Sequence, residues 1–262
     1  MTPTDEPVIH TQMLKDHVAL VTLNRPHARN AVSVALAETM SQTVQQLEAD
    51  DNVWAVILTG AGDVFCAGAD LKVVAAGEGN ALFRPWGGFA GFVDAPRQKP
   101  WIAALNGPAL AGGCEIMLAC DMVVAAEGAR IGLPEVARSL LAAAGGLIRL
   151  PRTLPRNIAI EVAITAEPIG AQRAHELGLV NRVVPGPRLL EEALALAERV
   201  TRNAPLAVRE SLQIVKHSAS GWDEAALRDA VWAARERISA TADFQEGPRA
   251  FIEKRPPQWK GH

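Results

Sequence analysis

The sequence predicts an α/β protein with a largely parallel sheet and a helical C-terminal region. Three observations predict this class. Apolar runs of five to seven residues are followed by turn residues, as in strands that are buried on both faces. Segments with helical apolar periodicity lie between some of these runs. Beyond about residue 155 helical patterns dominate, and strands that alternate with helices favour parallel pairing.

The first half of the chain contains four predicted strands and one clear helix. The strands are His17–Leu23, Val53–Thr59, Trp101–Leu105 and Met122–Ala126. The helix is predicted over Ser33–Glu48, where Ser33 has a side chain suited to an N-cap. Its apolar face consists of Leu36, Met40, Val44 and Leu47.

The second half contains five predicted helices and one short strand. The helices are Asn157–Thr165, Ala171–Leu177, Leu189–Asn203, Ala207–His217 and Asp223–Thr241. Gly178 follows the second of them at a position typical of a C-cap. The strand is Leu179–Val184. We therefore divide the chain into an α/β unit, residues 1–188, and a helical lobe, residues 189–262.

Composition excludes several classes of function. The 262 residues carry a formal net charge of −3 without blocks of like charge, which does not favour a nucleic-acid partner. Met1–Pro7 lacks the pattern of a signal peptide, and no apolar run approaches the ~18 residues of a membrane helix. Three cysteines without metal-like spacing fit a reducing cytoplasm, and the scattered histidines predict no metal site.

Two loops rich in small residues follow predicted strands. They are Val64–Lys72 and Asn106–Glu115. The second runs into an apolar helical segment, so Gly112 and Gly113 would lie at a helix N-terminus. Free N–H groups and the positive end of the helix dipole favour an anion there. Two N–H groups aimed at one oxygen would form an oxyanion hole, which a thioester needs when it becomes an enolate.

Two glutamates are candidates for proton transfer. Glu115 lies at the start of the predicted helix, and Glu135 follows a strand-to-loop transition at residues 131–134. Two carboxyl groups that share a dry pocket have their pKa values pushed apart, which yields one base and one acid. Such a pair suits the addition of water to a conjugated double bond.

Each of these signals also has a simpler interpretation. A Gly-Gly-Cys-Glu sequence fits tight helix–strand packing, and a glutamate in a loop is usually a solvated charge. Gly60-Ala61-Gly62 does not begin a dinucleotide fingerprint, because the third glycine would fall on Phe65. Cys114 has no histidine nearby in sequence, so a small buried thiol is a better interpretation than a nucleophile.

Several ordered motifs together resemble the enoyl-CoA hydratase/isomerase, or crotonase, family. The run IAALNGPALAGGCEIMLACDMV, from residue 102, is similar to the family signature, and FCAGADLK, from residue 65, is similar to its other loop. LPEV, AAAGGLIRLPR, AHELGLVNRVVP and EGPRAFIEKRPPQWKG follow in order. The resemblance extends from about Val8 to the end of the chain.

The resemblance implies a fold, an assembly and a set of site residues. The fold would be a spiral of ββα units with a helical C-terminal trimerisation lobe, assembled as a homotrimer or a dimer of trimers. The implied oxyanion donors are the N–H groups of Ala67 and Gly112, and the implied catalytic residues are Glu115 and Glu135. The implied CoA contacts are Arg25, Ala28, Ala69, Asp70, Leu71, Phe251 and Lys254, of which the last two would reach a neighbouring subunit.

Three residues are predicted to shape the substrate pocket. Trp86 and Phe89 lie in the segment that resembles the family's variable substrate region. Ala143 departs from the resemblance, because hydratases of the family commonly have glycine there. A methyl group at this position would narrow the site or shift the preferred substrate.

The sequence therefore predicts an enoyl-CoA hydratase that needs no metal or redox cofactor, since CoA is part of its acyl-CoA substrate. Two alternatives stay open, the first of them because of Ala143. One is an isomerase, or another enolate reaction on acyl-CoA. The other is a non-catalytic acyl-CoA-binding protein.

Overall fold

A computed structural model describes residues 6–262, so most of the predicted polar segment Met1–Pro7 lies outside the described residues. The helices are α1 (Val34–Ala49), α2 (Leu71–Ala75), α3 (Gly112–Ala119), α4 (Gly146–Thr153), α5 (Arg156–Thr165), α6 (Ala171–Glu176), α7 (Leu189–Thr201), α8 (Pro205–Ala219), α9 (Glu224–Ser239) and α10 (Ala242–Glu253). The strands are β1 (Ile9–Lys15), β2 (Val18–Leu23), β3 (Ala55–Gly60), β4 (Phe83–Arg84), β5 (Gly88–Phe89), β6 (Trp101–Leu105), β7 (Ala109–Leu110), β8 (Met122–Ala126), β9 (Arg130–Gly132), β10 (Ile169–Gly170) and β11 (Arg182–Val184).

The main sheet has the strand order β1-β2-β3-β6-β8-β11. All pairs except the β1–β2 hairpin are parallel. A second, small sheet has the order β10-β9-β7, in which β7 and β9 are parallel. The predicted parallel α/β architecture is therefore confirmed.

Alternate residues of the main strands enter two separate cores. In β3, Val56 and Leu58 face a large core that includes the buried side of α1, whereas Ala55 and Ile57 face a smaller one. Helix α7 closes the smaller core with Leu189, Ala193 and Ala197. The first helix of the predicted C-terminal lobe thus packs on the main sheet. The division at residues 188 and 189 stays a prediction.

Most predicted elements are present with ends shifted by one to three residues. Trp101–Leu105 and Met122–Ala126 are strands over the predicted spans, and helix α1 begins one residue after Ser33. Ser33 caps it as predicted, because its hydroxyl accepts a hydrogen bond from Leu36 N–H at 3.2 Å. Gly178 has a φ of +86° just after α6, which explains why glycine ends that helix. The strand predicted over Leu179–Val184 is shorter, because only its last three residues pair with β8.

The C-terminal helices leave large apolar side chains in solvent. Val215 on α8, Trp232 on α9 and Phe251 on α10 are 64%, 60% and 84% exposed. Within residues 6–262, no helix combines the length and apolar character needed to cross a bilayer.

Candidate active site

The parallel pairing of β7 with β9 brings the two predicted catalytic glutamates together. Helix α3 follows β7 after one residue and carries Glu115, while a 3₁₀ turn, Pro134–Arg138, follows β9 and carries Glu135. A hydrogen bond of 3.0 Å from Ala111 N–H to the Gly132 carbonyl oxygen ties the two strand ends. Both carboxyl groups are buried, with exposed fractions of 3% for Glu115 and 8% for Glu135. The two glutamates therefore follow neighbouring strand ends, and their catalytic roles stay predictions.

Burial sets the electrostatics of Glu115. Loss of hydration, together with a smaller contribution from the nearby Glu135 carboxyl, raises its pKa from 4.5 to about 7. The N–H of Gly146 opposes this, since it donates to Glu115 Oε1 at 2.9 Å. A carboxyl group with a pKa near neutrality can both take and give a proton under physiological conditions.

Glu135 presents one oxygen without a protein partner. Burial also raises the pKa of this carboxyl, and its own backbone N–H partly offsets the effect. Its Oε2 is buried and accepts no hydrogen bond from the described residues. A buried polar atom without a partner is costly in a protein that lacks a use for it. The two buried carboxyls thus interact electrostatically, and one oxygen of Glu135 is left without a partner among the described residues.

A Glu115→Gln variant is expected to be more stable than the parent at alkaline pH. Because the folded-state pKa of about 7 exceeds the ordinary value of 4.5, the parent loses stability as pH rises between these values. At 1.36 kcal/mol per pKa unit, the penalty has a ceiling of about 3 kcal/mol above pH 7. Urea unfolding of both proteins at pH 4 and pH 8, at one protein concentration, measures it.

The stability gain should vanish at pH 4, where both proteins are uncharged at residue 115. Glu127→Gln, on an exposed turn before β9, is the matched control and should show no such pH-dependent gain. An equal difference at both pH values would contradict the origin of the penalty in ionisation.

The start of α3 supplies one candidate oxyanion donor. Gly112 is the first residue of this helix, so its N–H has no partner within the helix. The preceding residue, Ala111, has φ 52° and ψ −130°. This backbone conformation is strained for any residue that has a β-carbon. This strained residue turns the chain from β7 into the helix and directs the N–H of Gly112. The prediction for Gly112 agrees with this geometry.

The predicted donor at Ala67 is contradicted by the structure. Its N–H donates to the carbonyl oxygen of Arg29 at 3.1 Å. A backbone amide that is paired inside the protein is not available to a thioester oxygen. The candidate donor must therefore be a different amide of the same loop.

The N–H of Ala69, in the same loop, donates to no other described residue. Val32 forms a parallel bridge with it, donating to the Gly68 carbonyl oxygen and accepting from Asp70 N–H. In such a bridge the N–H of the central residue points away from the partner strand. Gly68 has a φ of +96°, so the backbone direction changes between Ala67 and Ala69.

The two loops touch where these amides lie. A β-carbon built on Gly68 would be 2.9 Å from the nitrogen of Gly112 and 2.8 Å from the β-carbon of Ala111. Glycine is required at Gly68 by this approach as well as by its φ. A β-carbon built on Gly113 would overlap the carbonyl oxygen of Cys66. The helix start thus packs directly on the loop that carries Ala69.

The predicted CoA-binding segments are joined by an ion pair. Arg25 Nη2 lies 3.2 Å from Asp70 Oδ2, and both side chains are 16% exposed. Arg25 also donates to the carbonyl oxygen of Ala31. Asp70 in turn caps α2 by accepting the Lys72 N–H at 3.1 Å. The structure thus places Arg25 and Asp70 together, and the guanidinium of Arg25, an implied CoA contact, already has two partners within the chain.

The remaining predicted CoA contacts fall in two regions. Ala28 lies in the 3₁₀ turn after β2, and Leu71, 50% exposed, begins α2, so both lie on the segments that Arg25 and Asp70 join. Phe251 and Lys254 lie at the end of α10, which packs on α9. Contact of these residues with CoA stays a prediction.

Of the predicted pocket residues, Phe89 lies closest to the candidate donors. Its ring packs on Gly112, where a β-carbon would be 2.5 Å from Phe89 Cε1. Trp86 is half-buried, and its carbonyl oxygen accepts a hydrogen bond from Ser41 at 3.3 Å. Ala143 is exposed on the loop before α4, and its N–H donates to the Leu141 carbonyl oxygen at 2.8 Å.

Sequence reasoning missed two residues of this site and the role of a third. Gly146 donates to Glu115, and Arg149 on α4 contributes a charge that lowers the pKa of the same carboxyl. Ala69 was predicted as a CoA contact, but not as the residue with the unpaired amide. The signal for Gly146 was present, because Gly145-Gly146 precedes a helical pattern. Arg149 had no local signal that distinguished it from a surface charge.

Comparison with known sequences identifies the family. The family model described as enoyl-CoA hydratase/isomerase matches residues 14–262. The chain is 40% identical over 252 residues to a mevalonyl-coenzyme A hydratase of Aspergillus fumigatus, covering 93% of this chain and 92% of that protein. It is also 40% identical over 260 residues to a 2,3-dehydroadipyl-CoA hydratase of Escherichia coli, covering 94% and 96%.

Solved structures agree with the sequence matches. An enoyl-CoA hydratase from Mycobacterium marinum superposes with a TM-score of 0.93 and 42% identity, covering 98% of this chain and all of that one. A carnitinyl-CoA hydratase from Mycobacterium avium superposes with a TM-score of 0.76 and 44% identity, covering 98% and 100%. The crotonase fold expected from the motifs is therefore confirmed. Since sequence and fold match over nearly the whole chain, this protein belongs to the enoyl-CoA hydratase/isomerase family.

Proposed function

We propose that the protein is a hydratase that adds water across the double bond of a 2-enoyl-CoA to give a 3-hydroxyacyl-CoA. The observation that carries this proposal is the buried pair Glu115 and Glu135, both with raised pKa values, beside the start of α3. Hydration needs one group that accepts a proton from water and one that donates a proton to carbon. The pair supplies both.

The thioester oxygen binds the N–H groups of Ala69 and Gly112 in this proposal. Support comes from the two N–H groups, since that of Ala69 points away from its partner strand and that of Gly112 has no partner within its helix. The close contact between Gly68 and Gly112 also supports it. Attack at C3 moves electrons toward this oxygen, so two fixed donors stabilise the enolate more than the ground state.

Proton movement balances within the carboxyl pair. One carboxylate accepts a proton from water while the hydroxide oxygen bonds to C3, and the carboxylic acid transfers its own proton to C2. The pair thus begins and ends with one shared proton. Because the carboxyls interact, their pKa values belong to the pair, and hydration should be fastest where the pair is singly protonated.

The decisive experiment is a turnover profile with 2-enoyl-CoA thioesters of different length, polarity and bulk. Loss of the absorbance of the conjugated thioester reports hydration. The relatives named above include proteins named for mevalonyl-CoA, 2,3-dehydroadipyl-CoA and carnitinyl-CoA. Acyl groups with polar ends therefore belong in the series beside crotonyl-CoA. Absence of hydration across the whole series would contradict the proposal.

A Phe89→Leu variant is expected to shift the acyl preference. The aromatic ring packs beside Gly112, so the smaller side chain opens space next to the reacting carbonyl. The ratio of kcat/KM for a ring-bearing enoyl-CoA to that for crotonyl-CoA should rise about tenfold, the order expected for filling such a space.

Phe92→Leu is the matched control for this shift. Phe92 is equally buried, but its ring packs edge-on against Trp101 at 5.0 Å between centroids. Its substitution should reduce stability without changing the ratio. A similar ratio in both variants would show that Phe89 does not face the acyl group.

An isomerase is the second candidate, and Ala143 is the observation that favours it. A methyl group stands where hydratases of the family commonly have glycine, and the Ala143 N–H is paired within its own turn. If this arrangement keeps water from C3, the carboxyl pair would move a proton between C2 and C4 of a 3-enoyl-CoA. Product analysis distinguishes the two, since a 2-enoyl product without hydration favours the isomerase.

A non-catalytic acyl-CoA-binding protein is the third candidate, which tight binding without turnover of any acyl chain would favour. The catalytic proposals need neither a metal nor a redox cofactor.

We also propose a homotrimer or dimer of trimers in the cytoplasm. The exposed apolar side chains of α8, α9 and α10 support assembly, because a monomer gains nothing from leaving them in water.

A further inference from the structure

Arg149 joins two segments that border the carboxyl pair. Its Nη1 donates to the Ala144 carbonyl oxygen at 3.1 Å, on the loop before α4. Its Nη2 donates to the Val93 carbonyl oxygen at 3.0 Å and lies 3.1 Å from Asp94 Oδ1. Only 29% of the Arg149 side chain is exposed, whereas Asp94 is 63% exposed. The guanidinium is therefore fixed mainly by backbone carbonyls.

Each of these segments ends at the site. Two residues beyond Ala144, the N–H of Gly146 holds Glu115 Oε1 at 2.9 Å. Four residues before Val93 lies Phe89, whose ring packs on Gly112. Arg149 thus bridges the wall of the acyl pocket and the loop that orients a catalytic carboxyl.

The conformation of Gly145 is adapted to this bridge. It has a φ of +96°, and a β-carbon built on it would overlap Arg149 Nη1. Glycine therefore lets the guanidinium approach the loop backbone closely.

The titratable groups that face Glu115 come from three elements. The Glu135 carboxyl follows β9, the buried Cys114 thiol precedes Glu115 on α3, and the Arg149 guanidinium lies on α4. Of these three, Arg149 alone is cationic, and it lowers the pKa of Glu115 against the effects of burial and Glu135.

We propose that Arg149 is a positioning residue that holds Glu115 in its orientation and favours its ionised form, through its bonds to the loop before α4 and to the segment that follows Phe89. This inference rests on the proposed hydratase function. Its alternative is an arginine that merely anchors α4. An anchoring residue would affect only folding or the overall rate. The proposed positioning residue would also shift the pH profiles of kcat and kcat/KM.

The test compares Arg149→Met, Arg149→Lys and Asp94→Asn in the full-length protein. The pH profiles of kcat and kcat/KM are measured with the best enoyl-CoA substrate. In parallel, ¹³C NMR of protein labelled at the glutamate δ-carbon follows the titration of Glu115, assigned with Glu115→Gln. Arg152→Met is the matched control, because it removes the same charge from an exposed position one turn along α4.

In Arg149→Met, both limbs of the profile and the Glu115 titration should move to higher pH. Loss of the cation favours the protonated carboxyl. We expect kcat at pH 7 to fall about tenfold to a hundredfold, the cost of a misplaced catalytic group, while KM changes less. Arg149→Lys keeps the charge, so its limbs should stay near those of the parent although kcat falls. Arg152→Met should match the parent.

Asp94→Asn should shift the pH profile in the opposite direction. Removal of a carboxylate beside the guanidinium leaves more positive charge near Glu115, so both limbs should move slightly to lower pH. This arm remains informative if Arg149→Met does not fold. Unmoved limbs in both Arg149→Met and Asp94→Asn would overturn the proposal. If the parent hydrates no enoyl-CoA, the hydratase proposal fails, yet the NMR titration still tests the effect of Arg149 on Glu115.

Discussion

Substitution of Glu135 by glutamine is expected to lower kcat for enoyl-CoA hydration by about 10²- to 10⁴-fold, the range for loss of a general acid or base. Glutamine keeps the size of the side chain but can neither accept nor release the transferred proton. The Glu135 Oε2 atom has no partner among the described residues, so its exchange for an amide breaks no hydrogen bond within the chain. The fold should therefore survive, and the loss should appear in the chemical step.

Two measurements separate this chemical loss from damage to binding. The Kd of a saturated acyl-CoA, measured by calorimetry, should change less than threefold, because the backbone donors are untouched. Glu127→Gln, with its exposed side chain, should retain the parent's kcat. If Glu135→Gln keeps more than a tenth of the parent's rate, the carboxyl pair is not the proton carrier.

Substitution of Gly68 by alanine is expected to lower kcat by about 10²- to 10³-fold, the effect of losing one oxyanion donor. The added methyl group would lie 2.9 Å from the Gly112 nitrogen and 2.8 Å from the Ala111 β-carbon. It would also occupy a residue with a φ of +96°. The loop must move to relieve both, which separates the two amides from a common oxygen.

Gly77→Ala provides the matched control for backbone strain. Gly77 also has a positive φ, +79°, but a β-carbon there would meet no atom within 4 Å. This variant should lose a similar amount of local stability and keep its activity. The infrared carbonyl stretch of a bound enoyl thioester gives a direct readout, and Gly68→Ala should reduce its shift to lower frequency. A normal shift with impaired turnover would argue against the donor geometry.

The sequence predicted the sheet and helices well wherever apolar periodicity was strong. Strand β1 was missed because it is an edge strand with mostly exposed side chains, so it contains no buried apolar run. Helix α10 was missed because Gly247 and Pro248 lie inside it, and such residues normally predict a break. Local composition thus fails to predict an element where strand pairing or tertiary packing decides the structure.

The sequence predicted the two glutamates and the Gly112 donor, but it missed Arg149 and chose the wrong second backbone donor. Glu115 and Glu135 were assigned through ordered motifs that resemble the family, because their local sequences alone also fitted tight packing or a solvated charge. The direction of an amide depends on φ and ψ, which a sequence does not specify, so Ala67 was chosen where the structure favours Ala69. The bonds of Arg149 join residues more than 50 positions apart in the chain, so no local pattern predicts them.

The attachment of each carboxyl to its own strand end has an evolutionary consequence. In the proposed mechanism thioester recognition relies on backbone N–H groups, which every residue except proline possesses, whereas Glu115 and Glu135 lie on separate segments after β7 and β9. A mutation at either glutamate can consequently alter the fate of the enolate, while the backbone N–H groups still bind the thioester carbonyl oxygen. Such a scaffold can diversify its chemistry one side chain at a time.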